Sequence, residues 1–377
     1  MRASSILAFI VLVTLSQPAG SGPKGFALAR AGLKDLSGGA VEFGQQKPLP
    51  RPDHIVIVIE ENKGYADVIG SSYAPYINSL AAGGALLDQF FAFHHPSQPN
   101  YMELFSGDSQ GVIDDRCLLS EPSFDAHSLG GILTEKLLRF GGYAEDLPRP
   151  MECINKNFLQ RHAPWVDFKD VSPTSNLDFT SFPKEPAGFA SLPQVSLVIP
   201  SVIHDMHTID TSNSECQQPA TAVQKEVCAG DAWLKQNLDA YVKWAQKNNS
   251  LLIITWDEDS STYKYPPPPV NTTPPDNRIP TLFVGAMVAP GVVEHGQYNH
   301  HDLLRTIEDM YGLRRIGGSV KAKQIEGIWR NPQLSRGTAS MRSSDLRAPA
   351  TMSGSTVISN LSSTSERRTS SSPIIFM

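Results

Sequence analysis

One run of residues, His54-Ile-Val-Ile-Val-Ile59, confines the fold more than any other stretch of the chain. Every residue after His54 is β-branched and apolar, so a strand built from it has no face to offer water and belongs in a sheet covered on both sides. Val195-Ser-Leu-Val-Ile199 and Ser250-Leu-Leu-Ile-Ile-Thr255 have the same character, and Pro280-Thr-Leu-Phe-Val284 is a fourth. Helical patterns lie between them. The clearest spans Ala232 to Lys247, where Leu234, Leu238, Val242 and Trp244 fall near one face, and Asp302 to Tyr311 is another. Strands alternating with helices predict an α/β fold with a mostly parallel central sheet sandwiched by helices.

Outside that core the chain changes character. Arg2, the apolar run Ile6 to Leu15 and the small residues Ala19, Gly20 and Ser21 read as a signal peptide over residues 1–21. A signal anchor or a buried helix is the competing reading, although the run falls short of the about twenty residues a membrane span needs. Residues 22–50 lack periodicity and read as a leader, 51–330 as the folded domain, and 331–377 as a disordered Ser/Thr-rich tail. Pro266 to Pro269 and Pro274-Pro275 suggest a stiff, exposed excursion.

Export, to the medium or the periplasm, permits disulfides. Of the three pairings open to four cysteines, Cys117–Cys153 with Cys216–Cys228 joins nearest neighbours, and no C-x-x-C spacing suggests a metal instead. Asn248, Asn271 and Asn360 sit in N-x-S/T triplets that matter only in a eukaryotic secretory pathway. The formal net charge of −6 argues against a nucleic-acid partner but not against a small phosphoester, which needs only local positive charge. No segment after the first reads as a membrane span, and oligomeric state is not legible.

In a parallel α/β sheet, functional groups gather beyond the carboxyl ends of the strands. The first strand runs into Glu60-Glu61-Asn62, the second into His204-Asp205-Met206-His207, and the third into Trp256-Asp257-Glu258-Asp259. Any one of these is more often a helix cap or a solvated loop. Together, at equivalent positions on one sheet edge, they form a metal basin whose oxygen donors and few imidazoles suit Mg²⁺, Ca²⁺, Mn²⁺ or Zn²⁺. The segment His94-His95-Pro96-Ser97-Gln98-Pro99-Asn100-Tyr101 adds a hydroxyl. Pro99 suits the first turn of a helix, which puts Ser97 or Gln98 at its N-cap. Ser97 is then either a plain cap or a nucleophile facing the positive helix end, where an incoming phosphoryl group is stabilised. A divalent ion bound to such a hydroxyl lowers its pKa.

The segment Ile59-Glu-Glu-Asn-Lys-Gly-Tyr65 resembles the opening of the phosphoesterase family that includes bacterial phospholipases C and secreted acid phosphatases, within the alkaline-phosphatase-like superfamily. His95-Pro-Ser-Gln-Pro-Asn-Tyr101 followed by Ser106-Gly107 resembles that family's nucleophile segment. His204-Asp-Met-His207, Gly230-Asp-Ala-Trp-Leu234, Trp256-Asp-Glu-Asp259 and Tyr298-Asn-His-His301 continue the match in order. The resemblance implies an alkaline-phosphatase-like fold, with Glu61, Asn62, Asp257 and Glu258 as metal ligands. Asp259 competes with Glu258 for that role, because many relatives carry two aspartates there. It implies Ser97 as a nucleophile that is transiently phosphorylated, and His204, His207 and His300 as groups that contact the phosphoryl oxygens or protonate the leaving group. Asn100 and Asp205, from the same blocks, are candidate substrate contacts.

The compact form, with Tyr143-Ala-Glu-Asp146 and Arg161-His-Ala-Pro-Trp165, is similar to the acid-phosphatase and phosphoinositide-phosphatase branch. Arg161 and His162 are candidates to hold a second anionic group of the substrate, since a guanidinium pairs with phosphate through two parallel hydrogen bonds, the alternative being that Arg161 is a plain surface residue. The expected activity is an exported, metal-dependent phosphomonoesterase of acid-phosphatase type. Its alternatives are a phospholipase C or other phosphodiesterase and a non-catalytic phosphate binder. A sulfatase fits less well, because Asn100 follows Pro99 and no arginine comes after it, as a C/S-x-P-x-R pattern requires.

Overall fold

The structure is a computed structural model that describes residues 48–121, 123–218, 221–260 and 277–330. The expected signal peptide, nearly all of the leader, the proline-rich excursion, the C-terminal tail and the triplets at Asn271 and Asn360 lie outside the described residues. The chain divides into two units after Pro48, and every element below belongs to the second.

The strands are β1 (His54–Glu60), β2 (Ala85–Phe91), β3 (Phe140–Ala144), β4 (Ile154–Asn155), β5 (Phe158–Leu159), β6 (Asn176–Asp178), β7 (Val195–Ile199), β8 (Ser250–Trp256), β9 (Arg278–Gly285), β10 (Val292–Glu294) and β11 (Tyr298–Asn299). The helices are α1 (Tyr65–Val68), α2 (Pro75–Gly83), α3 (Gln98–Ser106), α4 (Leu129–Glu135), α5 (Pro186–Phe189), α6 (Ala222–Ala245) and α7 (His300–Tyr311). Among the described residues, nine strands form one sheet in the order β10-β2-β9-β8-β1-β7-β3-β6, with β11 also against β2.

β1 lies at the centre. It is parallel to β7, with Val58 opposite Val198, and to β8, with Glu60 opposite Trp256. Its five β-branched residues are fully buried, as a strand covered on both faces requires. The strand foreseen at Pro280–Val284 forms as β9 but runs antiparallel to both β8 and β2. The sheet is therefore mixed, and β2 points the same way as β1. The carboxyl ends of β1, β2, β7 and β8 consequently share one edge.

Two groups of helices cover the sheet. α6 packs with α1, α2 and α5, whereas α3 packs with α4 and α7. Successive residues at the end of β1 divide between them: Glu61 meets Tyr101 of α3, while Glu60 feels the charge of Asp231 on α6. α6 starts ten residues before the expected Ala232, where Thr221 and Gln224 close a capping box. Both disulfides form as the spacing suggested, Cys117–Cys153 and Cys216–Cys228, each with Cα atoms 5.5 Å apart. Among the described residues no helix is long and apolar enough to cross a membrane.

Candidate active site

Glu61 is the hub of the edge. Fully buried, it accepts the Tyr101 hydroxyl on Oε1 at 2.5 Å and lies 3.0 Å from His162 Nε2 on the same oxygen. Oε2 accepts Asn62 Nδ2 at 2.5 Å and the Ser97 hydroxyl at 3.0 Å. Burial alone would raise this carboxyl, but His162, His207, Tyr101 and Arg161 together hold it below its ordinary value.

Ser97 sits at the N-cap of α3, yet its side chain caps nothing. The first-turn donors are satisfied elsewhere. Gln98 N–H donates to Asp115 Oδ1 at 3.0 Å, Pro99 has no N–H, and Asn100 N–H donates to the Ser97 carbonyl at 2.9 Å. The Ser97 hydroxyl instead faces Glu61, receives Asn62 Nδ2 at 3.3 Å, and lies 3.2 Å from Glu258 Oε1.

The end of β8 closes the other side. Asp257 N–H donates to the Glu60 carbonyl at 3.0 Å, and Asp257 Oδ1 accepts Asn62 N–H at 3.1 Å. Its Oδ2 is buried with no hydrogen-bond partner. Burial, then the charges of Glu61 and Glu258, push Asp257 well above the usual carboxylate range. Burial likewise drives Glu258 up to about 7, against the pull of His95, whose Nδ1 is 2.8 Å from Glu258 Oε2. Burial opposes the charge on His95 too, yet Asp259 and Glu258 raise it to about 9. Of the two competing ligands, Glu258 faces Ser97, while Asp259 reaches His95 at 3.3 Å.

Among the described residues no group of three or more His, Cys, Asp or Glu side chains stands at metal-ligating geometry. The donor set nevertheless suits a hard divalent cation. Three buried carboxylates, the Asn62 amide and the Ser97 hydroxyl converge, Asp257 Oδ2 is unsatisfied, and burial, reinforced by repulsion from neighbouring carboxylates, raises two of the acids. A cation would relieve all of these at once.

The Phosphoesterase family profile matches residues 71–314, about two thirds of the chain. The chain belongs to the Phosphoesterase family. It is 39% identical over 283 residues to the phosphatidylinositol-3-phosphatase of Mycobacterium tuberculosis, covering 74% of this chain and 84% of that one. It is 27% identical over 258 residues to the phosphate-repressible acid phosphatase of Penicillium chrysogenum, covering 64% of this chain but only 55% of the fungal protein, so the chain spans about half of that relative. A crystal structure of an alkaline phosphatase superfamily protein from Vibrio parahaemolyticus superposes with a TM-score of 0.50 at 17% identity, covering 73% of this chain and 71% of that one. That likeness establishes the fold. This member of the Phosphoesterase family is a hydrolase acting on phosphoric ester bonds.

The family's motif residues do not all converge. Glu61, Asn62, Ser97, Asp257 and Glu258 do, and His162 joins them, buried, stacked on Tyr101 and 3.6 Å from Asp205 Oδ2. Exposed His207 is near enough to act on Glu61. Arg161 approaches Asp115 at 3.7 Å and also acts on Glu61.

Four of the expected site residues have other partners in the structure. His204 is engaged elsewhere: Nδ1 is 2.9 Å from Glu145 Oε2, Nε2 is 3.8 Å from Asp210, and the ring stacks on Trp233. His300 is buried, its Nε2 bonds the Asp257 carbonyl at 3.1 Å, and burial pushes it down to about 4. Near neutral pH the ring is therefore uncharged, and its contact is with the end of β8. Asn100 spends its amide on the loop before Ser97, its Oδ1 accepting from Phe93 N–H and His94 N–H and its Nδ2 donating to the His94 carbonyl. Asp205 is fully buried, accepting His207 N–H at 2.9 Å and facing His162.

Tyr101, His95 and Asp115 escaped the sequence reading. Tyr101 had a signal, since one helical turn beyond Ser97 it must lie on the same face. His95 shares the loop with Ser97. Asp115 carries no local sign of its role.

Proposed function

We propose that the chain is an exported phosphomonoesterase, with phosphoinositides among its substrates, in which Ser97 is the nucleophile. The observation that carries this reading is the Ser97 hydroxyl, uncapped at the start of α3 and held between Glu61, Asn62 and Glu258. The likeness to a phosphatidylinositol-3-phosphatase supports the substrate class. The two disulfides suit the oxidising compartment that export would provide.

Glu61, Asn62, Asp257 and Glu258 would hold a divalent cation, which when bound supplies charge neutralisation at the phosphoryl oxygens and eases ionisation of the nearby hydroxyl. Ser97 Oγ gives its proton to the facing carboxylates and attacks phosphorus. Its new bond to phosphorus replaces the bond to the alcohol oxygen, which leaves with a proton. Of the three motif histidines, His207 alone is exposed and placed to supply that proton. Water then attacks the phosphoserine, releasing phosphate and restoring the hydroxyl. Arg161, at the rim beside Asp115, would meet a further anionic group of the substrate. Because the transition state is loose, positioning and charge do most of the work.

Replacement of Ser97 by alanine tests the reading. Turnover of p-nitrophenyl phosphate is expected to fall by about 1,000-fold or more, with the fold intact by circular dichroism. A Ser97→Ala protein that turns over like wild type refutes it. Activity toward bis(p-nitrophenyl) phosphate exceeding that toward the monoester would point to a phosphodiesterase instead.

A further inference from the structure

Lys63 follows Glu61 and Asn62 in the chain and is 3% exposed, a rare position for an ammonium group. All three of its donors are spent inside the protein. One goes to the Asn62 carbonyl at 3.0 Å, one to the Met206 carbonyl at 2.7 Å, and one to Glu226 Oε2 on α6 at 3.1 Å. The two carbonyls belong to residues in the left-handed region, with φ 51° at Asn62 and 74° at Met206. Asparagine tolerates that conformation, whereas a long side chain such as methionine adopts it only when its surroundings hold it there.

Both residues lie in turns of the active-site edge. Asn62 leaves β1, and Met206 stands between Asp205 and His207 after β7. The turns are joined again by Glu61 N–H donating to the Asp205 carbonyl at 2.7 Å. Met206 also closes onto α6 at Gly230, where an added Cβ would lie 2.5 Å from Met206 Cγ. Lys63 thus ties the two turns to each other and, through Glu226, to α6.

We propose that Lys63 is a positioning residue for phosphoryl transfer, its ammonium holding the Asn62 and Met206 turns in register. In that register Asn62 Nδ2 meets Ser97 Oγ and His207 stands near Glu61. The proposal rests on the reading of Ser97 as nucleophile. Lys63 touches neither substrate nor Ser97 and acts only through the two turns.

The test compares Lys63→Met, which keeps the stem, with Lys63→Arg, which keeps donors for both carbonyls. For folded Lys63→Met, kcat toward p-nitrophenyl phosphate is expected to fall about 100-fold with KM changed less than about threefold, as displaced catalytic groups produce. Lys63→Arg is expected to recover at least about tenfold of that loss, because its guanidinium still donates to both carbonyls. A purely structural role would lower the melting temperature of both variants and leave kcat per folded molecule unchanged. That result overturns the proposal, as does a folded Lys63→Arg no better than Lys63→Met. If Lys63→Met does not fold, Lys63→Ala refolded with ethylammonium replaces it. A kcat that rises saturably with the amine supports the proposal, and a kcat per folded molecule independent of the amine overturns it. Ser97→Ala, assayed alongside, separates the two readings. If it turns over normally, the nucleophile assignment fails; if it is inactive while folded Lys63→Met matches wild type, only the role of Lys63 fails.

Discussion

Glu103 shows how much a single residue's surroundings decide. On α3, it takes His94 Nε2 at 2.9 Å and His301 Nε2 at 2.6 Å, one on each oxygen. Burial would raise its carboxyl, but bonds to His301 and His94 hold it at about 2. A carboxyl depressed in the folded state contributes stability above its unfolded pKa and loses it as pH falls. For Glu103 that loss runs from the ordinary glutamate range, about 4.5, down through about 2. Glu103→Gln is therefore expected to cost about 2–3 kcal/mol at pH 7, and less at pH 3. Urea unfolding of wild type and variant at both pH values checks this; an equal cost at the two would show that the carboxylate's charge is not what stabilises. The same dependence on partners explains which site residues were legible. Glu61, Asn62, Ser97 and Asp257 were, because hydroxyl and oxygen donors at strand ends have few other uses in combination. The surroundings of His204 and His300 were not legible, because what a histidine's ring meets is set by the fold, here Glu145 with Trp233 and a buried carbonyl. Glu258 and Asp259 were separable only by seeing which one Ser97 faces.

At the scale of elements, β1, β7, β8 and β9 were readable from their β-branched runs, but β2 and β3 were not. β2 reads Ala-Leu-Leu-Asp-Gln-Phe-Phe, and its polar centre coincides with a shift of register against β9 between Leu87 and Phe90. β3 reads Phe-Gly-Gly-Tyr-Ala and lacks any β-branched residue. Its sheet position is fixed from outside: a Cβ on Gly142 would stand 2.2 Å from Trp165 Cε2. Glycine is kept there for closeness rather than for an unusual φ, and a local pattern of propensities cannot report that. Gly142→Ala is expected to destabilise by about 2–3 kcal/mol, the upper range for overpacking a buried contact, because the indole it would meet is 1% exposed. A denaturation midpoint within error of wild type would mean that Trp165 moves aside freely.

At the scale of the whole molecule, the sheet order brings distant segments to one place. Residues 61, 97 and 257 come from the ends of β1, of the loop after β2, and of β8, and the reversed β9 lets β2 deliver Ser97 to the same edge as the other two. The result concentrates buried carboxylates in a chain whose formal net charge is already −6. Raised carboxyls at Asp257 and Glu258, with an orphaned Asp257 Oδ2, mean that the folded protein bears an electrostatic cost there which its unfolded chain does not. A divalent cation that binds only the folded form would remove it and stabilise the fold by about 2.7 kcal/mol at a concentration 100-fold above its dissociation constant. For a domain of this size that is about 4–5 °C in melting temperature. Protein dialysed against a chelator is accordingly expected to melt several degrees lower and to lose turnover, with both restored by the same cation. The joint recovery is the informative part. If one cation restores the melting temperature and leaves turnover low, the stabilising site is not the site holding Ser97. If chelation moves neither quantity in protein shown by elemental analysis to be free of metal, the carboxylates around Ser97 act by hydrogen bonding alone.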